Sequence, residues 1–242
     1  PKTPWGARGT TTWFRMHITV PESMRGRTVV ALVRPGGESL AYVNGDPTQG
    51  IDPNRDALRL AFRAKGGESF DIALESTLGY EDEGPRLFEY ADIAVFDADV
   101  WDFIWDCRVA LEVAAVLDAT STVRRQTRAL IDRITRMVDL QHLGTPAFTA
   151  SLKEAHAALR RGLADLPGSH GMGGLVFTCQ SHIDTAWLWP LCETRRKCAR
   201  TFSTALNLIA RNPEMTFSQS QAALYLMVQR DYPSLHQRIG KR

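Results

Sequence analysis

Four cysteines in 242 residues, Cys107, Cys179, Cys192 and Cys198, are too few and too scattered to frame a fold. No CxxC pair occurs among them, which excludes a disulfide scaffold and a thiolate zinc site and makes a reducing cytoplasm the expected location. Long apolar runs are lacking too. No stretch approaches the roughly 20 apolar residues of a membrane span, and the opening PKTPWGARGT has no apolar signal core. Neither sign of charge is in excess: 29 Lys and Arg stand against 27 Asp and Glu, a net +2, so the basic footprint of a nucleic-acid binder is missing. Neither nucleic acid nor membrane is expected as a partner. Internal repeats and low-complexity segments are absent, and 44% hydrophobic with 23% charged residues is enough to bury one sizeable core or two small ones.

What is present changes character twice along the chain. WFRMHITV, from Trp13 to Val20, alternates Phe14, Met16, Ile18 and Val20 with Arg15, His17 and Thr19, the pattern of a half-buried strand. RTVVALV, LAYVNGDP, DALRLAF and ESFDIAL repeat it, each bounded by Gly, Pro, Asn or Asp, with NGDP as hairpin chemistry. Closely spaced short strands predict a β-sandwich-like domain over residues 1–98. From about Asp99 helical spacing takes over. Trp101, Ile104, Trp105 and Val109 predict the buried face of a first helix; Leu130, Ile131, Ile134 and Val138, then Leu152, Ala155, Leu159 and Leu163, predict two more. LPGSHGMGG, Leu166 to Gly174, is the expected linker, so residues 99–170 read as a helical segment with linker.

LVFTC then reads as a strand buried on both faces, followed by a turn and a helix from about Glu193 with Cys198, Phe202, Leu206 and Ile209 inward. MTFSQS and QAALYLMVQRDYP begin a second cycle. Residues 171–242 are thus the expected beginning of a parallel α/β catalytic domain, and the whole is an α+β multi-domain chain. Two strands cannot make a covered parallel sheet, so the sequence reads as the front part of a longer protein.

In open α/β folds the site lies beyond the carboxyl ends of the strands, where SHIDTAWLWP falls. His182 and Asp184, two residues apart, can point to one side and supply half of a four-ligand divalent site. On the HxD spacing alone a local hydrogen-bonded pair is favoured over an ion. Trp187 and Trp189 can anchor a core or offer a face to a sugar ring, with core preferred for Trp189. Glu193, Arg195, Arg196, Lys197 and Arg200 read as a helix start with a solvated basic face. Gln219, Gln221 and Tyr225 can line the same crevice or serve only the turn. Arg124, Arg125, Arg128, Arg133 and Arg136 read as a solvated helix face, and His17, His142, His156, His170 and His236 as single structural or surface residues.

The order H-x-D, W-L-W-P, E-T-x-R-K-C-A-R and S-Q-S-Q, from Leu175 to about Ile239, resembles the start of the catalytic domain of glycoside hydrolase family 38 α-mannosidases, nearest the branch of cytosolic and vacuolar enzymes. PWGARGTTTWFRMHITVP and NGDPTQGID resemble the β-rich region that precedes it. The resemblance implies that His182 and Asp184 bind the catalytic zinc, with Co2+ as the other candidate, and that Trp187 borders the sugar where cleavage occurs. It implies a retaining, metal-dependent exo-α-mannosidase acting on terminal α-mannosides of oligosaccharides in the cytoplasm. A homo-oligomer is the expected state of the full-length form. The nucleophile, the general acid and the remaining metal ligands are expected beyond Arg242, leaving this chain inactive by itself. The alternative is a noncatalytic carbohydrate-binding or assembly fragment.

Overall fold

The computed structural model describes residues 2–80, 84–168, 174 and 176–242, which form two compact units: residues 1–96 with 176–242, and residues 97–175. The first unit opens with β1 (Thr3–Trp5), β2 (Thr11–Thr19), β3 (Val29–Arg34), β4 (Glu38–Val43), β5 (Asp46–Ile51), β6 (Ala57–Ala61), β7 (Ser69–Thr77), β8 (Arg86–Phe88) and β9 (Tyr90–Val95). Antiparallel pairing gives a four-stranded sheet, β2-β7-β4-β5, and a three-stranded sheet, β6-β3-β9, with β1 and β8 paired separately. Asn44 and Gly45 join β4 to β5, both at positive φ as a two-residue hairpin of the mirror-image turn type requires. Between the sheets Ala31, Val33 and Leu58 meet Ala41, Ile51, Ile72 and Leu74, with Phe14, Met16 and Ile18 of β2 packed alongside. The sandwich and the alternation of β2 agree with the sequence.

The four-stranded sheet is covered on its outer face as well. Leu40 and Ala41, neighbours on opposite faces of β4, are both 0% exposed: Ala41 faces the sandwich core, while Leu40 belongs to a second core. That core is completed by Ile183, just after β10 (Cys179–Gln180), and by α4 (Leu191–Arg211), β11 (Phe217–Ser218), α5 (Ala222–Asp231) and α6 (Pro233–Ile239). β10 and β11 run parallel with α4 as the crossover, and Cys198, Phe202 and Leu206 of α4 point inward as their spacing predicts, whereas Ile209, expected with them, is half-buried and outside this core. The strand expected from LVFTC is shorter than read. Only Cys179 and Gln180 pair, and Val176 and Phe177 are 95% and 83% exposed, because among the described residues this sheet has two strands and nothing packs over their side chains.

The second unit holds α1 (Ala98–Val116), α2 (Thr122–Thr135) and α3 (Pro146–Ala164), capped by Asp97, Ser121 and Thr145. Leu130, Ile131 and Ile134 of α2 and Leu152, Ala155 and Leu159 of α3 are buried as expected. The face of α1 is not the predicted one. Phe103, Ala110 and Ala114 are buried while Trp101, Ile104, Trp105 and Val109 are exposed; apolar residues surround this helix, so spacing alone does not select a face. His17, His142 and His156 each pair with one aspartate, Asp71, Asp139 and Asp106. His170, Leu175 and the linker residues 169–173 lie outside the described residues.

Candidate functional site

Directly beyond β10 one residue turns inward between two that do not. Ile183 is buried in the core shared with α4, so His182 and Asp184 on either side of it project together away from that core. His182 Nε2 lies 3.1 Å from Asp184 Oδ1, and both side chains are partly exposed. The Ser181 carbonyl accepts a 2.7 Å bond from Gln219 Nε2, which fixes the backbone on the approach to the pair. Tyr225 donates to the Gln219 carbonyl and stacks on Phe202. Gln219 and Tyr225 therefore brace the site from behind, and neither they nor Gln221 are among the cavity-lining residues.

The tryptophan turn is pinned from α4. Thr194, fully buried, accepts on Oγ1 from the Ala186 amide and from Trp189 Nε1, each at 3.1 Å. The first of these bonds holds Ala186 at φ +66, a left-handed conformation that a residue with a Cβ adopts at a cost. Trp189 is thereby set with the Lys197 ammonium 4.6 Å from its ring centroid, a cation-π contact. Trp187 stands 67% exposed at the tip.

A cavity of about 480 Å³ opens beside the pair. His182 and Asp184 line it, together with Trp189, with Lys197 and Arg200 of α4, and with Asp52 and Arg55 from the turn after β5. Two ligand atoms of a tetrahedral zinc, each about 2.1 Å from it, stand roughly 3.4 Å apart. The present 3.1 Å is that of a direct hydrogen bond, so the two form the local pair that the spacing favours, and their donor atoms, an imidazole nitrogen and a carboxylate oxygen, are of the kind that hold zinc. Among the described residues no group of three or more His, Cys, Asp or Glu is arranged to hold a metal. What converges is one imidazole–carboxylate pair.

Residues 175–242 match the family model of the glycosyl hydrolases family 38 N-terminal domain, and residues 2–81 match that of an α-mannosidase jelly roll domain. The two segments thus carry a family 38 N-terminal domain and an α-mannosidase jelly roll domain. Alpha-mannosidase 2C1 of Homo sapiens is 30% identical over 246 residues, and that of Mus musculus 32% over 250, each alignment covering 95% of this chain and 23% of the relative. Alpha-mannosidase of Saccharomyces cerevisiae is 26% identical over 269 residues, 98% of this chain and 24% of its own length. The chain thus spans about a quarter of the curated relatives it matches.

The jelly roll and the segment that matches the hydrolase domain are joined by charges, of which the sequence places the basic ones in solvent. Glu193 and Arg200 are 4% and 7% exposed. Arg200 Nη2 donates to Glu193 at 2.6 Å and to Glu38 of β4 at 2.7 Å; Arg196 donates to Glu75 of β7 at 3.0 Å and to Glu193 at 3.3 Å; Lys197 reaches Glu38 at 2.8 Å. Glu193, Arg196 and Arg200 recur every three or four residues, so one stripe of α4 docks on the sheet. Burial alone pushes the Glu38 carboxyl up, but Arg200 and Lys197 outweigh it and hold the carboxyl below its usual range. Burial, reinforced by the Glu75 charge, pushes the Tyr232 hydroxyl up to about 12.

The stripe continues into close backbone contact. The Gly50 amide donates to Thr204 Oγ1 at 3.0 Å, and Asn207 and Arg238 donate to the Thr48 and Pro47 carbonyls at 2.7 Å each. These bonds occupy the outer edge of β5, which no further strand covers among the described residues. A Cβ on Gly50 would stand 3.0 Å from Thr204 Oγ1 and 3.2 Å from the Arg200 carbonyl. The signal was in the sequence: a glycine inside the strand DPTQGI marks a close approach of another backbone.

Proposed function

We propose that this chain supplies the jelly roll and the first metal-binding edge of a retaining, metal-dependent exo-α-mannosidase that removes terminal α-mannose from oligosaccharides in the cytoplasm. The observation that carries this reading is the convergence of His182 and Asp184 above a cavity, inside the segment that matches the family 38 model. The names of the curated relatives support the α-mannoside, and the chemistry of an imidazole with a carboxylate supports zinc, or cobalt. Bound there, the ion would hold hydroxyls of the sugar being cleaved and so orient the ring for attack. Asp184 is assigned as a ligand; we assign the nucleophile and the general acid to no residue of this chain. Trp187, exposed three residues after Asp184, is our choice for the aromatic border of the cleaved sugar.

The test is hydrolysis of an aryl α-mannoside by the native-length protein after chelation and zinc add-back, beside His182→Ala. Metal-restored activity that falls at least a hundredfold in the variant is expected, since a lost ligand removes most of the site's affinity. A folded protein that cleaves no α-mannoside with any divalent metal would exclude the reading. The 242-residue chain is expected to be inactive alone, because half a ligand set does not hold the ion.

A further inference from the structure

The cavity that His182 and Asp184 line extends to the jelly roll, where Asp52 and Arg55 stand in the turn after β5. We propose that it is a second sugar subsite, in which the Asp52–Arg55 turn and the Lys197–Thr201 face of α4 bind the neutral pyranose adjoining the one held at His182 and Asp184. This deepens the α-mannosidase reading and rests on it. The jelly roll would then be part of the substrate site rather than a spacer.

Charge decides the kind of ligand. The carboxylates of Glu38, Asp52 and Asp184 are matched by Arg55, Lys197 and Arg200, so apart from His182 the lining carries no net charge. A phosphate or a polyanion gains nothing from such a wall, whereas sugar hydroxyls, each a donor and an acceptor, are served by carboxylates and cations side by side. The indole of Trp189 adds an apolar surface of the kind that faces the C–H groups of a pyranose. The volume, about 480 Å³, falls among clefts that take small ligands.

Asp52 and Arg55 are also held ready. Arg55 Nη2 donates to Asp52 Oδ2 at 2.8 Å, the Asn54 amide donates to Asp52 Oδ1 at 2.8 Å, and the Arg55 amide donates to the Asp52 carbonyl at 2.9 Å. These bonds close the turn on itself and leave the Arg55 side chain about half exposed. A pre-ordered turn loses little freedom when a ligand arrives. Thr201 presents a hydroxyl to the same cavity from α4.

The experiment is a tryptophan-fluorescence titration of the native-length, zinc-loaded protein with thio-linked α-mannobiose, for the unaltered protein and for Arg55→Ala and Thr201→Val. A saturable change is expected, with Kd raised about tenfold by Arg55→Ala, the scale of one lost hydrogen bond to a charged group. The nearly isosteric Thr201→Val tests the opposite wall without disturbing the turn, and a several-fold rise in Kd is expected. Three results would each overturn the subsite: no saturable change, affinities in both variants equal to that of the unaltered protein, or mannose 6-phosphate binding tenfold tighter than thio-linked α-mannobiose. Hydrolysis by the native-length protein separates the two readings. Binding without any mannosidase activity keeps the sugar site and discards the hydrolase; activity without binding here discards only the subsite.

Discussion

Thr194 is the residue on which the tryptophan turn depends. Its Oγ1 accepts from the Ala186 amide and the Trp189 indole at once, and Ala186 would otherwise leave its left-handed conformation. Thr194→Val keeps the volume and removes the acceptor, leaving both donors without a partner next to the second core. A loss of about 1–3 kcal/mol follows from orphaning partly buried donors. Chemical denaturation checks the magnitude, and a changed Trp189 indole resonance shows that the loss is local to the turn. Unchanged stability and an unchanged indole signal would mean that the turn is held by other contacts. None of this is written in the spacing of the motif: HIDTAW reveals which groups can bind an ion, while the pin lies ten residues after Asp184, inside the next helix.

At the scale of the element, α4 carries two stripes. The apolar one, Cys198, Phe202 and Leu206, is legible because a 3.6-residue period of apolar side chains has one reading in a globular chain. The polar one, Glu193, Arg196, Arg200, Thr204 and Asn207, has two, solvent or a complementary surface, and only Glu38, Glu75 and β5, more than a hundred residues earlier, decide between them. α1 shows the same limit from the opposite side, since apolar residues all round leave the period without direction. The charged stripe carries a pH dependence whose sign is fixed. The folded-state pKa of Glu38 lies below its ordinary 4.5, so its contribution is fully present above that value and is lost as the pH falls through the lowered one. Acid titrations of the chain and of Glu38→Gln, followed by denaturation between pH 6 and about pH 3, are expected to show a shallower acid loss in the variant. Parallel slopes would remove Glu38 from the contacts that hold α4 to the sheet.

For the unit formed by residues 1–96 and 176–242, the consequence is that one sheet serves two cores. β4 places Ala41 in the sandwich core and Leu40 in the core under α4, α5 and α6, so neither core closes without the same strand. Periodicity divides the chain where its character changes, near residues 99 and 171, and does so without long-range information; it cannot see that the helices after the helical unit pack on a sheet formed before it. Shared burial predicts shared stability. Leu40→Ala opens a cavity on the helical side only, at about 2–5 kcal/mol. Native-state hydrogen exchange is expected to show that loss equally in the amides of β4, β7 and α4, because these elements open together. Amides of α4 losing protection while those of β7 keep theirs would show that the jelly roll folds as its own unit, and would reduce α4 to a helix resting on a finished domain. If the protection falls together, the jelly roll is structural support for His182 and Asp184. The Asp52–Arg55 turn is then held beside them by the same sheet that holds α4, and both sides of the cavity keep their spacing for as long as that sheet is intact.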